Sequence, residues 1–69
     1  MRKSDDVILM MENSLQSGKN ARFEFWADEY PQSEAEKAED YFIEKGYGVD
    51  LTFAYDSYIL RVWNMPDFN

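Results

Sequence analysis

The apolar positions in the first quarter of the chain recur at the spacing of an α-helix. They predict a first helix over residues 5–17, with one face formed by Val7, Ile8, Met11 and Leu15. Ser4 stands at the N-cap position, where a serine hydroxyl can accept a hydrogen bond from a free backbone N–H. Asp5 and Asp6 place negative charge at the positive end of the helix dipole. Gly18 supplies the residue at which the helix ends.

The following segment alternates between the two faces of an extended chain, which predicts a strand over residues 21–28. One face carries Ala21, Phe23, Phe25 and Ala27. The other face carries Arg22, Glu24, Trp26 and Asp28. Tyr30 and Pro31 end the extended segment.

A second helix is predicted over residues 34–45. Ser33 and Glu36 have the spacing of a capping box, in which each side chain satisfies a free backbone N–H of the first turn. Gly46 is the left-handed residue that stops the helix. On the helical wheel, a buried stripe is formed by Ala35, Ala38 and Phe42.

Two further alternating segments predict strands over residues 49–55 and 58–63, joined by a two-residue turn at Asp56 and Ser57. One face then holds three pairs: Tyr55 with Tyr58, Phe53 with Leu60, and Leu51 with Val62. The opposite face pairs Thr52 with Arg61, Ala54 with Ile59, and Asp50 with Trp63. Asp-Ser is a weaker turn signal than Asn-Gly, so a longer loop is an alternative. Residues 64–69 are predicted to be irregular.

The element order α-β-α-β-β predicts a small α+β fold that forms a single domain over residues 1–69. We expect a three-stranded, mainly antiparallel sheet with the third strand in the centre. The second helix packs on one face, across Phe23, Phe25, Leu51, Phe53, Leu60 and Val62. The first helix is expected on the other face of the sheet or at its edge.

The composition narrows the classes of function. The 69 residues include no histidine and no cysteine, which leaves no disulfide, no thiolate nucleophile and no Cys or His zinc site. The commonest general base is missing as well. We therefore expect a protein that is not an enzyme and that has no cofactor and no metal. The paired acids are interpreted as solvated side chains: Asp5 with Asp6, Asp28 with Glu29, and Glu39 with Asp40.

Fourteen acidic and seven basic side chains give a net charge of −7. Such a chain is repelled by phosphate backbones and anionic lipids, so we expect no direct nucleic-acid or membrane binding. The same charge favours a protein partner with a basic surface. The sequence contains no apolar run long enough for a bilayer span or a secretion signal, and the expected location is the cytoplasm.

Two surfaces are candidates for partner binding. On the second helix, the first consists of Glu36, Glu39, Asp40 and Glu44 with Ile43 inside the acidic arc. These carboxylates either keep a small domain soluble or dock in a basic groove, with Ile43 as an apolar anchor. The second candidate is the sheet face with Trp26, Ile59, Arg61 and Trp63. Either the first helix covers that face or it is a protein-binding or dimer surface, so the chain is a monomer or a homodimer.

Three segments resemble very small acidic proteins encoded by phages and prophages. They are Ala-Arg-Phe-Glu-Phe at residues 21–25, the helix that begins near Ser33 and ends in Lys-Gly-Tyr at 45–47, and Leu-Arg-Val-Trp at 60–63. The resemblance implies an inhibitor in the host cytoplasm that occupies the DNA-binding surface of a nuclease, a polymerase or a CRISPR effector. It assigns no functional residue. Our hypothesis is a DNA-mimicking, anti-CRISPR-like inhibitor, and the alternative is a self-associating accessory module.

Overall fold

The computed structural model describes residues 2–65, which form two helices and three strands in the predicted order. The elements are α1 (Asp5–Gln16), β1 (Ala21–Trp26), α2 (Gln32–Glu44), β2 (Gly48–Phe53) and β3 (Ser57–Trp63). Of the predicted irregular tail, Asn64 and Met65 lie outside helix and strand, and residues 66–69 fall outside the described part of the chain.

The three strands form one sheet in the order β1-β3-β2, and both neighbouring pairs are antiparallel. The predicted α+β class, with β3 in the centre, is confirmed. β3 is hydrogen-bonded on both sides, whereas β1 and β2 are edge strands.

The hairpin of β2 and β3 is offset by two residues from the predicted register. Tyr58 pairs with Phe53 rather than Tyr55, and Leu60 pairs with Leu51. Because the offset is even, every side chain keeps its predicted face. On the opposite face, the three predicted pairs are wrong, and the observed pairs are Asp50 with Arg61, Thr52 with Ile59, and Gly48 with Trp63.

The register differs because the loop between β2 and β3 is longer than a two-residue turn. Residues 54–56 lie outside both strands, and the Ala54 N–H donates to the Ser57 carbonyl at 2.9 Å. The Asp56 carbonyl accepts a hydrogen bond from the Ala27 N–H, also at 2.9 Å. This bond ties the loop to the chain beyond β1. Local turn preferences contain no information about such a distant partner.

Both helices pack on the same face of the sheet. A single core contains Val7, Met11 and Leu15 from α1 and Ala35, Ala38 and Phe42 from α2, together with Phe25, Leu60 and Val62 from the strands. Within this layer, α1 lies mainly over the edge strand β1 and α2 mainly over β2. α1 therefore lies on the same face as α2, over the edge strand β1, and the alternative in which α1 covers the other face is not adopted.

The helices stop where predicted. Gly18 and Gly46 adopt left-handed backbone conformations, with φ of 85° and 89°. Ser4 is the N-cap residue of α1, as predicted, but its hydroxyl makes no capping hydrogen bond. The predicted capping box at Ser33 is wrong, because the N-cap residue of α2 is Pro31. α2 begins at Gln32 after Pro31, so Ser33 lies inside the first turn, and Glu36 accepts a hydrogen bond from Gln32 Nε2 at 3.1 Å instead.

Polar contacts join the two helices along their length. The buried Ser4 donates to Glu34 Oε1 from both its backbone N–H and its hydroxyl, at 2.7 and 3.1 Å. Lys37 Nζ donates to Asp5 Oδ1 at 2.9 Å, and the Tyr41 hydroxyl donates to Glu12 Oε2 at 2.8 Å. Acidic groups of each helix are therefore used to position the other helix.

The two phenylalanines Phe42 and Phe53 provide a test of this core. Phe42 is fully buried, whereas Phe53 at the end of β2 is 56% exposed. We expect Phe42→Ala to lower the free energy of unfolding by about 3–5 kcal/mol. This loss is comparable to the total stability of about 3–5 kcal/mol that one core supplies in so small a domain. The circular dichroism spectrum of the variant at 25 °C should therefore be that of an unfolded chain. Phe53→Ala should keep a cooperative urea transition, and the reverse order would contradict the observed register.

Candidate functional site

The outward face of α2 brings the predicted acids together. Full burial of Ala35, Ala38 and Phe42 fixes the rotation of the helix. The opposite side therefore faces solvent, and it carries Glu36, Glu39, Asp40, Ile43 and Glu44, which we call the acidic stripe. Its residues are exposed, except for the half-buried Glu39.

Neighbouring lysines do not neutralise the stripe. Lys37 is bound to Asp5 of α1, and Lys45 Nζ lies 5.4 Å from the centre of the Tyr41 ring. Within residues 2–65 the ion pairs are Arg2–Glu29, Lys37–Asp5 and Arg61–Asp50. None of these pairs includes a stripe carboxylate, so the negative charge of the stripe is uncompensated in this part of the chain.

The environment of Glu39 shows the effect of this crowding. Burial raises the pKa of the Glu39 carboxyl above its usual range, and the negative charges of Asp40, Glu36 and Asp50 raise it further. Asp50 lies on β2, so the charges that act on Glu39 come from the sheet as well as from α2. A cationic group that docked here would relieve this repulsion.

Ile43 is an apolar side chain in an acidic surround. It is 53% exposed, although it lies next to the fully buried Phe42 on the same helix. An exposed apolar group within a charged rim is the arrangement found at the centre of many protein interfaces.

The second candidate surface is the face of the sheet opposite the helices, which we call the open sheet face. It carries Arg22, Glu24, Trp26, Asp50, Thr52, Ile59, Arg61 and Trp63. Trp26 is 43% exposed, and Ile59 and Trp63 are half-buried. Neither α1 nor α2 reaches this face, so the four predicted residues Trp26, Ile59, Arg61 and Trp63 lie together on a surface that the helices leave uncovered.

Cross-strand neighbours organise the open sheet face. Arg61 pairs with Arg22 on one side and with Asp50 on the other, and Arg61 Nη1 is 3.7 Å from Asp50 Oδ2. Ile59 lies between Glu24 and Thr52 in the next row. The Ser57 hydroxyl donates to Glu24 Oε2 at 2.6 Å, which holds that carboxylate in place.

Trp63 packs against the backbone of Gly48, a contact that sequence reasoning missed. A Cβ atom at residue 48 would overlap the indole ring, so only glycine fits there. A glycine within a strand can mark such a close approach, but the predicted register placed Asp50 opposite Trp63. A cavity of about 220 Å³ lies beside the ring, between Arg22 and Arg61.

The remaining predicted acids do not form a metal site in the described residues. Asp5 is bound to Lys37 and Glu29 to Arg2. No cluster of three or more potential metal ligands is present between residues 2 and 65. Of the two helices in that range, neither is long and apolar enough to cross a membrane.

Comparison with models of protein families, with curated proteins and with solved structures finds no match to this chain. The function therefore has to be inferred from the residues and their arrangement.

Glu39 and Glu34 have opposite environments, and their glutamine variants should respond oppositely to pH. Two donors from Ser4, the backbone N–H above all, lower the pKa of the Glu34 carboxyl. The charge of Glu34 therefore stabilises the fold above the usual pKa of glutamate. This stability is lost as pH falls through the lowered value. The raised pKa of Glu39 means that its charge destabilises the fold at neutral pH. This penalty decreases as pH falls through the raised value and is gone below the usual pKa of glutamate.

At pH 7 we therefore expect Glu39→Gln to raise the free energy of unfolding and Glu34→Gln to lower it. Removing a like charge at helical spacing contributes roughly 0.2–0.5 kcal/mol. Both differences should vanish at a pH below both pKa values. Urea denaturation of the two variants and the unmodified protein across this pH range measures the effect. A destabilised Glu39→Gln variant at pH 7 would contradict the proposed repulsion.

Proposed function

We propose that this protein is a non-enzymatic binding module whose acidic stripe docks on the basic, nucleic-acid-binding surface of a larger protein. It would act as an inhibitor, in the cytoplasm of a host cell, by occupying the site that nucleic acid otherwise fills. The observation that carries the proposal is the stripe itself, in which four carboxylates lack a cationic partner among residues 2–65 while nearby Lys37 is bound elsewhere. The net charge of −7 favours a cationic protein over nucleic acid as the partner.

The density of charge along α2 supports a phosphate-like role. Glu36 and Glu44 are eight residues apart, which corresponds to about 12 Å along the helix axis. Four carboxylates over this length give one charge every 3–4 Å or so, close to the roughly 3.4 Å per charge along one strand of DNA. Lysines and arginines spaced to contact a phosphate backbone would therefore find acceptors at a comparable spacing on α2.

Ile43 adds a contact that a purely solubilising surface does not need. Charge attraction mainly accelerates association and is weakened by salt, whereas desolvated apolar contacts mainly slow dissociation. With its 53% exposure, Ile43 can be buried by a partner. A surface that only kept the protein in solution would account for the carboxylates but would not call for an isoleucine among them.

The test is capture of a partner from a bacterial lysate by the immobilised protein at about 50 mM and about 200 mM salt. We expect a nucleic-acid-binding protein at the lower salt, reduced capture at the higher salt, and elution by added double-stranded DNA. The variant Glu36→Gln, Asp40→Asn, Glu44→Gln should remain folded and lose capture. Ile43→Ser should retain the association rate of the captured protein and dissociate faster by surface plasmon resonance.

A matched control changes the same amount of charge outside the stripe. Asp6, Asp28 and Asp56 are exposed and form no ion pair among the described residues. The variant Asp6→Asn, Asp28→Asn, Asp56→Asn should capture the partner nearly as well as the unmodified protein. Equal loss in both triple variants would show that net charge alone acts, and undiminished capture by the stripe variant would refute the proposal.

A further inference from the structure

The open sheet face combines apolar and charged groups in a way that fits a copy of itself. Both tryptophans of the chain lie on it, and the rows of Ile59 and Arg61 lie between them. We propose that this face is the contact between two copies of the chain, which pair sheet to sheet as a weak, symmetric dimer. The inference concerns the opposite side of the molecule from the acidic stripe and does not depend on the proposed function.

Charge favours this face over the outward face of α2 for self-association. It carries two arginines, Arg22 and Arg61, and two acids, Glu24 and Asp50, so its formal charge is zero. The whole chain carries −7, all of which therefore resides elsewhere. A second copy that approaches α2 meets like charge, whereas at the open sheet face it meets a neutral surface.

The layer order also separates the charged helices. Sheets pack about 10 Å apart, and helices are about 10 Å thick. In a sheet-to-sheet dimer, the two α2 helices are then the outermost layers, roughly 30 Å apart. That distance is more than three Debye lengths of about 8 Å at physiological ionic strength, so repulsion between the two stripes is largely screened.

The arrangement of residues on the face is self-complementary. Arg22 on β1 and Asp50 on β2 lie in the same row, on either side of Arg61 in the central strand. A two-fold axis parallel to β3 therefore brings Arg22 of each copy opposite Asp50 of the other. Ile59 and Arg61, both on the central strand, each meet their own counterpart near the axis, and each Arg61 keeps Asp50 of its own copy as a counterion. A symmetric contact needs this reciprocity, in which one pairing occurs twice.

The size of the face predicts a weak dimer. Three strands at about 4.8 Å spacing and six residues of about 3.4 Å cover an area of roughly 14 by 20 Å, or about 300 Å². A stable interface buries about 800 Å² on each partner. Dissociation constants between about 1 μM and 1 mM are therefore expected.

Sedimentation equilibrium across that concentration range tests the inference, together with tryptophan fluorescence. We expect the average mass to rise towards that of two chains and the emission to shift to shorter wavelength, because both fluorophores lie on the contact face. Added salt should leave the association nearly unchanged, because it screens both the repulsion between the two net charges and the attraction of the two Arg22–Asp50 pairs. Binding through the acidic stripe is weakened by salt, so the two proposals fail separately.

Ile59→Lys should weaken the dimer about tenfold or more, which corresponds to about 1.4 kcal/mol. Leu9→Lys is the matched control, because Leu9 is 59% exposed on α1 and the substitution changes the net charge equally. It should associate like the unmodified protein. Trp26→Ser, at an edge-strand position that is 43% exposed, is a second disruptive variant, and circular dichroism establishes the fold of each variant.

Three outcomes would overturn the inference. The first is a single-chain mass at about 1 mM protein in high salt. The second is association of Ile59→Lys as strong as that of Leu9→Lys. The third is assembly beyond two chains that salt dissolves, which would mean that the acidic stripe of one copy docks on the arginines of the next in an open, head-to-tail array.

Discussion

Burial of a single face of the sheet by both helices is the constraint on which the rest of the structure depends. A chain of 69 residues has apolar side chains for only one core. With α1 and α2 side by side over β1, β3 and β2, that core reaches complete burial at Phe25, Phe42 and Leu60. Dividing the helices between two faces would give two thinner apolar layers, each more open to water.

The contact between the helices has an electrostatic consequence for the surface. Asp5 of α1 binds Lys37, and Ser4 binds Glu34, so α2 uses one lysine and one glutamate to hold its neighbour. The lysine that sequence spacing places beside the acidic stripe is thereby removed from it. The carboxylates that remain face solvent without an ion-pair partner among the described residues. The raised pKa of Glu39 reflects its partial burial first and the repulsion from neighbouring carboxylates second.

One-sided packing also gives the molecule two unlike surfaces. The helical side carries the acidic stripe, and the open sheet face carries equal numbers of arginines and acids around Trp26, Ile59 and Trp63. The first surface is suited to long-range charge attraction and the second to short-range apolar contact. Because the surfaces lie on opposite sides of one thin domain, a ligand on one leaves the other accessible.

Much of the fold follows from local patterns in the sequence. The helical spacing and the strand-like alternation of apolar positions predicted the five elements. Gly18 and Gly46 predicted the helix ends. The buried stripe of α2, formed by Ala35, Ala38 and Phe42, predicted which side of that helix faces outward. The residues of the acidic stripe were predictable for the same reason, since a helix fixes the relative directions of side chains three and four residues apart.

Contacts between residues distant in the chain were decided only by the tertiary structure. The bond from Ala27 to Asp56 accompanies a longer loop and a register shifted by two residues. The hydroxyl of the N-cap residue Ser4 donates to Glu34 instead of accepting a bond from its own helix. The side of the sheet that α1 covers was equally undetermined, because the apolar run of α1 fits either face. Periodicity specifies the direction of each side chain relative to its own element, whereas the partner of each face depends on how all elements share one core.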